Sequence, residues 1–301
     1  MPELAAVESQ EDGWRARLEL RLESVHGRTR LTHSRHSGPL RVQRVFFPEP
    51  LVTSAAAARA LDTATPSACA EPCHIYVLHP PGGLVSGDAL EIEVECREQA
   101  HALLTTPAAG KFYRQRGQRL ALVSQELRLD GGTLEWLPQE NIYYPDSAVR
   151  VCTRVRLDPS ARFIGWELHC LGLPAIAAAL DRGMLRSTLE LWLDARPLLL
   201  ERLRLEGEAL RARWGLANFP AFGTCLAYPC RSELLERVRT IASRLNCAEL
   251  MLACTIVDGV LCCRGHAQRL DHLKQAFIDL WHVLRPVVLG RGAVPPRIWA
   301  T

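Results

Sequence analysis

The chain has 301 residues, of which 48% are hydrophobic and 23% are charged. This composition is typical of a soluble globular protein with a sizeable core, built as one large or two modest domains. The 36 Lys and Arg nearly balance the 33 Asp and Glu, which leaves a net charge of +3. Because the basic residues are scattered, neither a nucleic-acid surface nor charge-driven membrane binding is expected.

The start of the chain is acidic and has no apolar run before Trp14, unlike a secretory signal. No stretch reaches the about 18 apolar residues that a transmembrane helix needs. The eleven cysteines are an odd number and are dispersed along the chain. This usage predicts reduced thiols and a cytoplasmic protein. No Cys-x-x-Cys pair occurs, so a closed zinc site is not expected.

Alternation of apolar and polar residues dominates the chain from Trp14 to about Glu206. A period of two places one set of side chains on a buried strand face and the other towards solvent. The clearest stretches are 15–23, 89–96, 120–132 and 149–158. Pro and Gly residues between them form turns. The chain is therefore predicted to be mainly β, with a stacked β-strand body of the β-helix or solenoid-like kind.

One segment interrupts this pattern. Residues 51–72 are rich in Ala, Ser and Thr. They predict a short helix followed by a loop, or an inserted segment, and no chemistry is assigned to them.

Apolar residues recur with a period of 3.6 near the C-terminus, which predicts two helices. The first is expected over 232–245, with Ser232 able to cap its start. The second is expected over about 267–284, ended by the pair Arg285-Pro286.

The segment between these helices, 249–265, predicts a hairpin that turns at Asp258-Gly259. Helix, hairpin and helix together predict a small α+β unit. The chain is accordingly interpreted as a β body over 1–210 and an α+β unit over 211–301, packed together as one domain.

The Gly-rich segment at 79–88, HPPGGLVSGD, has the composition of a phosphate-binding loop but not its pattern. It lacks G-x-x-x-x-G-K-S/T, and a strand pattern follows it instead of a helix. Gly82, Gly83 and Gly87 are instead expected to shape a rigid turn with positive φ that lets another segment approach closely. The hydrolase motifs G-x-S-x-G and H-E-x-x-H do not occur in the sequence.

Carboxylates near apolar neighbours are the remaining candidates for chemistry. Asp88 either caps the Gly-rich turn or presents its carboxylate to a metal. An inward carboxylate on a strand is costly unless it is paired or ligating. Glu167 therefore either faces solvent or forms a salt bridge, or it is a functional residue. Alternation places Glu135 on the opposite strand face from Trp136. Carboxylates and imidazoles spaced along the chain suit a divalent ion of intermediate softness that binds only in passing. This composition is compatible with a metal path but does not by itself establish one.

Four segments carry a family resemblance: HPPGGLVSGD at 79–88, ALLTTPAAGKFYR at 102–114, LEWLPQENIYY at 134–144 and FIGWELHCLGLP at 163–174. In this order and spacing they resemble the UreD (UreH) family of urease accessory proteins. The C-terminal helices are compatible with the family but carry no signature of it.

The resemblance implies a non-catalytic scaffold with no tightly bound cofactor. Such a protein binds a UreF-type accessory protein and, through it, a UreG-type GTPase, and docks on the urease apoprotein as part of a hetero-oligomer. It also implies a water-filled tunnel that passes transient Ni²⁺ to urease, and a fold of stacked strands with added helices.

Residues are carried over from the motifs on the same basis. The resemblance implies that Asp88, Glu140 and Glu167 lie on the nickel path or at its mouth. One position departs from the family pattern: Leu173 stands where an arginine is usual, so a diverged partner surface is expected there.

Three alternatives remain open from the residues. A metal-dependent hydrolase would use Asp88, Glu140 and a histidine such as His79 or His101 as ligands. A β-solenoid interaction module would have no metal role. The cationic end of the 102–114 motif, with Lys111, Tyr113 and Arg114, either meets an acidic partner or stays hydrated. These three residues complete the set of candidates.

Overall fold

The computed structural model describes residues 13–49, 70–180 and 182–300, and about half of them lie in strands. The strands are, in chain order, β1 (Arg15–Val25), β2 (Arg28–Ser37), β3 (Arg41–Val42), β4 (Cys73–Leu78), β5 (Ala89–Arg97), β6 (His101–Thr105), β7 (Gly110–Phe112), β8 (Ala121–Asp130), β9 (Thr133–Trp136), β10 (Asn141–Tyr143), β11 (Ala148–Leu157), β12 (Arg162–Leu171), β13 (Met184–Leu193), β14 (Arg196–Glu206), β15 (Ala221–Tyr228), β16 (Leu250–Val257) and β17 (Val260–Ala267). The helices are α1 (Ser232–Leu245) and α2 (Leu270–Leu289). Most of the segment 51–72 lies outside the described residues.

The first sheet has the strand order β14-β13-β11-β8-β5-β1-β2. Its five inner strands are parallel, and hairpins add an antiparallel strand at each edge. One row of side chains crosses the five parallel strands in register, and every member is buried. The row is Leu20, Val94, Leu127, Val155 and Leu191.

The second sheet has the order β16-β17-β15-β12-β9-β6-β4-β3, with β10 and β7 paired beside β12. Its parallel block is β12-β9-β6-β4, and the other strands on this path are antiparallel to their neighbours. The inner faces of the two sheets enclose the larger hydrophobic core.

The chain alternates between the two sheets from β4 to β13, leaving aside the short β7 and β10. Within this range, each parallel pair in one sheet is therefore connected by a strand of the other sheet, where a helix is the usual crossover. The mainly β class is confirmed. The more specific solenoid-like description stays a prediction, because antiparallel strands border both parallel blocks and the sheets are mixed.

The predicted C-terminal hairpin is confirmed, since β16 and β17 pair and Asp258 and Gly259 have positive φ at the turn. Helix α1 has the predicted bounds. Ser232 does not cap it, however: Arg231 is the N-cap residue and makes no side-chain capping hydrogen bond.

The expected end of α2 at Arg285-Pro286 was wrong, since the helix continues to Leu289 and ends at Gly290, which has a φ of +69°. Pro286 removes only one backbone donor. That loss is offset because Val288 and Leu289 pack in the second hydrophobic core, between the helices and the outer face of the second sheet. No helix of the described ranges is both long and apolar enough to cross a membrane.

The predicted division of the chain at residue 210 stays a prediction. The second sheet runs across that point, because β15 pairs with β12 over eight positions, from Cys170–Ala221 to Phe163–Tyr228. One face of this sheet packs in the larger hydrophobic core, and the other face packs in the second core.

Candidate functional site

A cavity of about 190 Å³ lies between the two sheets and is called the central cavity here. The first sheet contributes Ile92 and Gln125 to its wall, and the second contributes Trp136 and Glu167. The Gly-rich turn and the loop at 106–111 complete it. Because exposed residues of both segments border the cavity, it opens to the surface beside the Gly-rich turn.

Glu167 is the carboxylate of the central cavity. It lies on β12 and is 7% exposed, so it does not face solvent. The Thr153 hydroxyl donates a hydrogen bond to its Oε1, and His169 Nε2 lies 3.4 Å from its Oε2. Among the described residues no Lys or Arg lies within ion-pair distance of it. The site is therefore a buried anion with polar neighbours and no permanent cation.

Two further spaces are linked to the central cavity by shared wall residues. A narrow neck of about 10 Å³ shares Trp136 and Glu167 with it and is bordered further on by Thr224. Thr224 in turn borders an outer cavity of about 340 Å³, which is lined by Glu201 of the first sheet and by Arg264 and other residues of the second. The neck has about the minimum space for one water molecule. The three spaces follow one another through these shared wall residues and are called the line of cavities here, and Glu167 borders the smallest of them.

Three buried nitrogen atoms along this line have no hydrogen-bond partner within the described part of the chain. They are His79 Nε2 and Trp136 Nε1 at the central cavity and His266 Nε2 at the outer cavity. Buried polar atoms of this kind are normally satisfied by internal water. The walls are thus polar at intervals along the whole line, which suits a hydrated interior.

Asp88 is placed differently from Glu167. It is 2% exposed and does not line the central cavity. Its carboxylate accepts backbone N–H groups from Val85, at 2.8 Å, and from Trp14, at 3.4 Å. These contacts fit the capping alternative, in which Asp88 fixes the Gly-rich turn that forms the cavity rim.

Glu140 lies at the edge of the cavity and pairs with α2, where Lys274 Nζ is 3.2 Å from its Oε2. Its backbone oxygen accepts the N–H of Gly110, and Gly110 and the preceding Gln139 both line the central cavity. The structure therefore brings only one of the three predicted carboxylates into the cavity and places a second at its rim.

The other motif residues lie near the same rim or on the surface. Lys111 lines the central cavity, whereas Arg114 is largely exposed and lies 3.6 Å from Asp146. Leu173 forms a tight turn, in which its N–H donates to Ala178 O at 2.6 Å. No described contact assigns Leu173 to a partner surface.

The Gly-rich turn needs its glycines for two different reasons. Gly82 and Gly87 have φ of +73° and +91°, which side chains disfavour. Gly83 does not have positive φ, contrary to expectation. A Cβ at Gly83 would instead lie 2.3 Å from a ring carbon of Tyr113, so close approach is the constraint there.

Both Gly82→Val and Gly83→Val are expected to lower stability by about 1–3 kcal/mol, through backbone strain and steric overlap respectively. Thermal unfolding of the purified variants measures this. Gly292→Val is the control, because Gly292 has ordinary φ and no atom near its added Cβ. Wild-type melting temperatures for both turn variants would contradict the expectation.

A fully buried ionic cluster lies on the other face of the second sheet and was not foreseen from the sequence. Arg285 of α2 donates to Glu135 Oε2 at 2.9 Å and to Glu49. His101 Nε2 lies 2.9 Å from Glu135, and His74 Nε2 lies 2.9 Å from Glu49. As alternation predicted, Glu135 faces away from the cavity that Trp136 lines.

The electrostatics of this cluster favour a structural role. Burial alone would raise the pKa of Glu135, but the charge of Arg285 and the hydrogen bonds from His101 and Trp281 outweigh it and lower that pKa to about 2. Burial also lowers the pKa of His101. The cluster is thus two carboxylates that share one guanidinium, and each carboxylate also has one histidine within hydrogen-bond distance.

The hydrolase alternative needs Asp88, Glu140 and a histidine around one ion. In the described residues no group of three His, Cys, Asp or Glu is positioned to hold a metal. His101 belongs to the buried cluster, and Asp88 caps the turn. Burial raises the pKa of the Cys73 and Cys230 thiols to about 12, so these are protonated and poor ligands.

Fold and site define a two-sheet β protein with polar internal cavities, one of which is bordered by the buried carboxylate of Glu167. Residues 14–300 match the family model described as UreD urease accessory protein. The chain therefore belongs to the UreD family of urease accessory proteins.

Curated relatives agree with this membership over nearly the full length. The chain is 40% identical over 295 residues to the urease accessory protein UreD of Alcanivorax borkumensis, covering 96% of this chain and 93% of that one. It is 40% identical to UreD of Pseudomonas putida, covering 98% of both chains. It is 39% identical to UreD of Klebsiella aerogenes, covering 96% and 97%.

Proposed function

We propose that this protein is a non-catalytic scaffold that conducts nickel to urease along the line of cavities between its two sheets. It binds the urease apoprotein and a UreF–UreG-type complex in the cytoplasm, holds no tightly bound cofactor, and carries Ni²⁺ only in transit. Family membership supports the urease role, and the geometry supports the route.

The observation that carries the proposal is the buried carboxylate of Glu167, which has no Lys or Arg partner among the described residues and borders the smallest of the three cavities. A buried carboxylate without a cation partner is costly, and a passing divalent ion offsets that cost. Among other buried carboxylates, Glu49 and Glu135 pair with Arg285, and Asp88 accepts hydrogen bonds from two backbone N–H groups. A divalent ion would therefore be stabilised more at Glu167 than at Glu49 or Glu135.

The donors along the route fit an ion that must leave again. Nickel accepts oxygen and imidazole ligands, whereas clustered thiolates would retain it. Glu167 provides one carboxylate, and the neighbouring wall provides neutral oxygen atoms from Gln125 and Thr224. In this route Glu140 lies at the rim, and Asp88 holds the turn that shapes the entrance.

Glu167→Gln is expected to reduce nickel-dependent urease activation at least about tenfold, equivalent to about 1.4 kcal/mol, while complex formation survives. Glutamine keeps the size and the hydrogen bond from Thr153 but removes the charge. The measurement is urease activity and nickel content after co-expression with the urease and accessory genes, with pull-down of the complex in parallel.

Glu236→Gln is the matched control, because Glu236 is exposed on α1 and lines none of the three cavities. Glu140→Gln is expected to have a smaller effect than Glu167→Gln. Full activation with Glu167→Gln would remove Glu167 from the route. Loss of pull-down in the same variant would point to an interaction module without a metal role.

A further inference from the structure

The outer face of the first sheet lies on the side of the molecule away from the helices. Both α1 and α2 pack on the outer face of the second sheet, so neither covers the first. Strands such as β1 and β11 therefore present every second side chain outwards. Parallel strands are normally covered on both faces. This uncovered parallel face is thus a candidate for contact with another molecule.

In the middle of this face, opposite charges pair across the strands. Arg154 lies 2.8 Å from Glu190, and Arg156 lies 2.6 Å from Glu126. Further pairs on the same face are Arg17 with Glu93, Arg21 with Glu95 and Arg202 with Glu190. Cross-strand pairs of opposite charge stabilise a sheet, so this part of the face needs no partner.

The beginnings of β11 and β13 depart from this pattern. Arg150 and Arg186 are directly opposite each other in the strand register, and Arg204 of β14 follows next to Arg186. Adjacent strands lie about 4.8 Å apart, and like charges at opposite positions destabilise a sheet. Arg204 pairs with Glu206 at 2.6 Å, whereas Arg150 and Arg186 have no ion-pair partner in the described part of the chain. Arg186 Nε is buried without a hydrogen-bond partner.

The loops that precede these strands add more positive charge. Arg114 and Arg182 each lie 3.6 Å from the same carboxylate, that of Asp146, and their side chains are 75% and 86% exposed. Arg116, in the loop of Arg114, is also exposed. We call the set of Arg114, Arg116, Arg150, Arg182 and Arg186 the basic end.

Backbone hydrogen bonds hold these segments together. Gln115 donates to Asp146 O, and Met184 donates to Ser147 O. The basic end therefore combines five arginines with the single carboxylate of Asp146, although the net charge of the whole chain is only +3. The arginines are scattered in the sequence, and the fold gathers them from three segments.

Apolar side chains lie exposed beside the basic end. Val85 of the Gly-rich turn is 47% exposed, and Tyr113 is 37% exposed. The N–H of Arg116 donates to Ser86 Oγ at 2.7 Å, which joins the two surfaces. Arginine and tyrosine are enriched in protein–protein interfaces. This combination of arginines with apolar groups favours a protein as the partner over a nucleic acid.

We propose that the basic end is a docking surface for a partner protein whose own surface is rich in Asp and Glu. The partner's carboxylates supply the ion pairs that Arg150 and Arg186 lack, and they remove the repulsion between the two. Arginine suits this role because its planar fork binds carboxylates through two hydrogen bonds. The inference deepens the proposed function and rests on it for the expectation of a protein partner.

The double variant Arg150→Gln/Arg186→Gln is expected to bind fluorescently labelled poly-L-glutamate at least about tenfold more weakly than the wild type, because charge-assisted pairs are lost. Fluorescence anisotropy of the purified full-length protein at low salt measures this affinity. The matched control is Arg237→Gln/Arg244→Gln, since both arginines are exposed on α1, on the other side of the molecule. The control is expected to keep wild-type affinity, and an equal loss in both variants overturns the inference.

Thermal unfolding separates docking from a structural role. The Arg150→Gln/Arg186→Gln variant is expected to melt at the wild-type temperature or above it, because a pair of like charges is removed. A lower melting temperature would show that the two arginines stabilise the isolated fold, and it overturns the inference. Unchanged poly-L-glutamate affinity with weakened binding of single-stranded DNA would assign the surface to nucleic acid instead.

Pull-down with the urease apoprotein and, separately, with the UreF–UreG-type complex tests the partner itself. The double glutamine variant is expected to recover at least about tenfold less of one of them than the wild type does at the same salt concentration. Wild-type recovery of both overturns the inference, even where Glu167→Gln blocks activation and the route stands. Full activation with Glu167→Gln overturns the route and leaves the basic end to be decided by the pull-down.

Discussion

Replacing Arg285 with methionine is expected to destabilise the protein by about 3–5 kcal/mol, the usual effect of removing one partner from a buried ion pair. Arg285 is fully buried and contacts both Glu135 and Glu49. Methionine fills similar space but leaves two buried carboxylates without a cation. Since the free energy of unfolding of a domain is only about 5–15 kcal/mol, the variant is expected to lose a large part of its stability.

Urea unfolding at neutral pH, followed by tryptophan fluorescence, measures the loss. Arg237→Met is the matched control, because Arg237 is exposed on α1, and its unfolding midpoint is expected to remain that of the wild type. If Arg285→Met unfolds at the same urea concentration as the wild type, the cluster does not tie α2 to the second sheet.

Acid is expected to remove about 3 kcal/mol of stability through Glu135 alone. The pKa of Glu135 is about 2 in the folded chain, against an ordinary value of 4.5. A depressed folded-state pKa means that the unfolded chain binds the proton first. The contribution is therefore complete above the ordinary pKa and is lost as the pH falls from about 5 towards 2.

The measurement compares unfolding free energies at several pH values between 7 and 3. The wild type is expected to weaken steadily below pH 5. Glu135→Gln is expected to start less stable at pH 7 but to show a shallower decline, because it has no proton to gain at this position. Equal slopes for both proteins would show that Glu135 is not the group that titrates.

The contrast between Glu167 and Glu140 shows how far the sequence reached towards the site. Both were candidates because they are carboxylates near apolar neighbours and lie in family motifs. The sequence could not distinguish them, because the direction in which each side chain points depends on strand pairing and on the elements that pack against it. In the structure Glu167 faces Thr153 of the first sheet, whereas Glu140 pairs with Lys274 of α2.

The Arg285 cluster was missed for a related reason. Arg285 precedes a proline near the end of a helical pattern, where a basic residue usually marks a helix end in solvent. Its partners Glu135 and Glu49 are 150 and 236 positions away in the chain. No local pattern identifies such pairs. The extension of α2 beyond Pro286 follows from the same burial.

Local order is what the sequence by itself determined here. The period-two strands, the Asp258-Gly259 hairpin and the span of α1 follow from the spacing and conformational preferences of neighbouring residues, and the family motifs are visible directly in the sequence. Tertiary structure alone decided which carboxylate borders the cavity, which two pair with Arg285, and that Arg150 and Arg186 are neighbours at the basic end. The physical reason is that burial and charge pairing depend on distance in space, and the chain brings these groups together only when both sheets and α2 have packed.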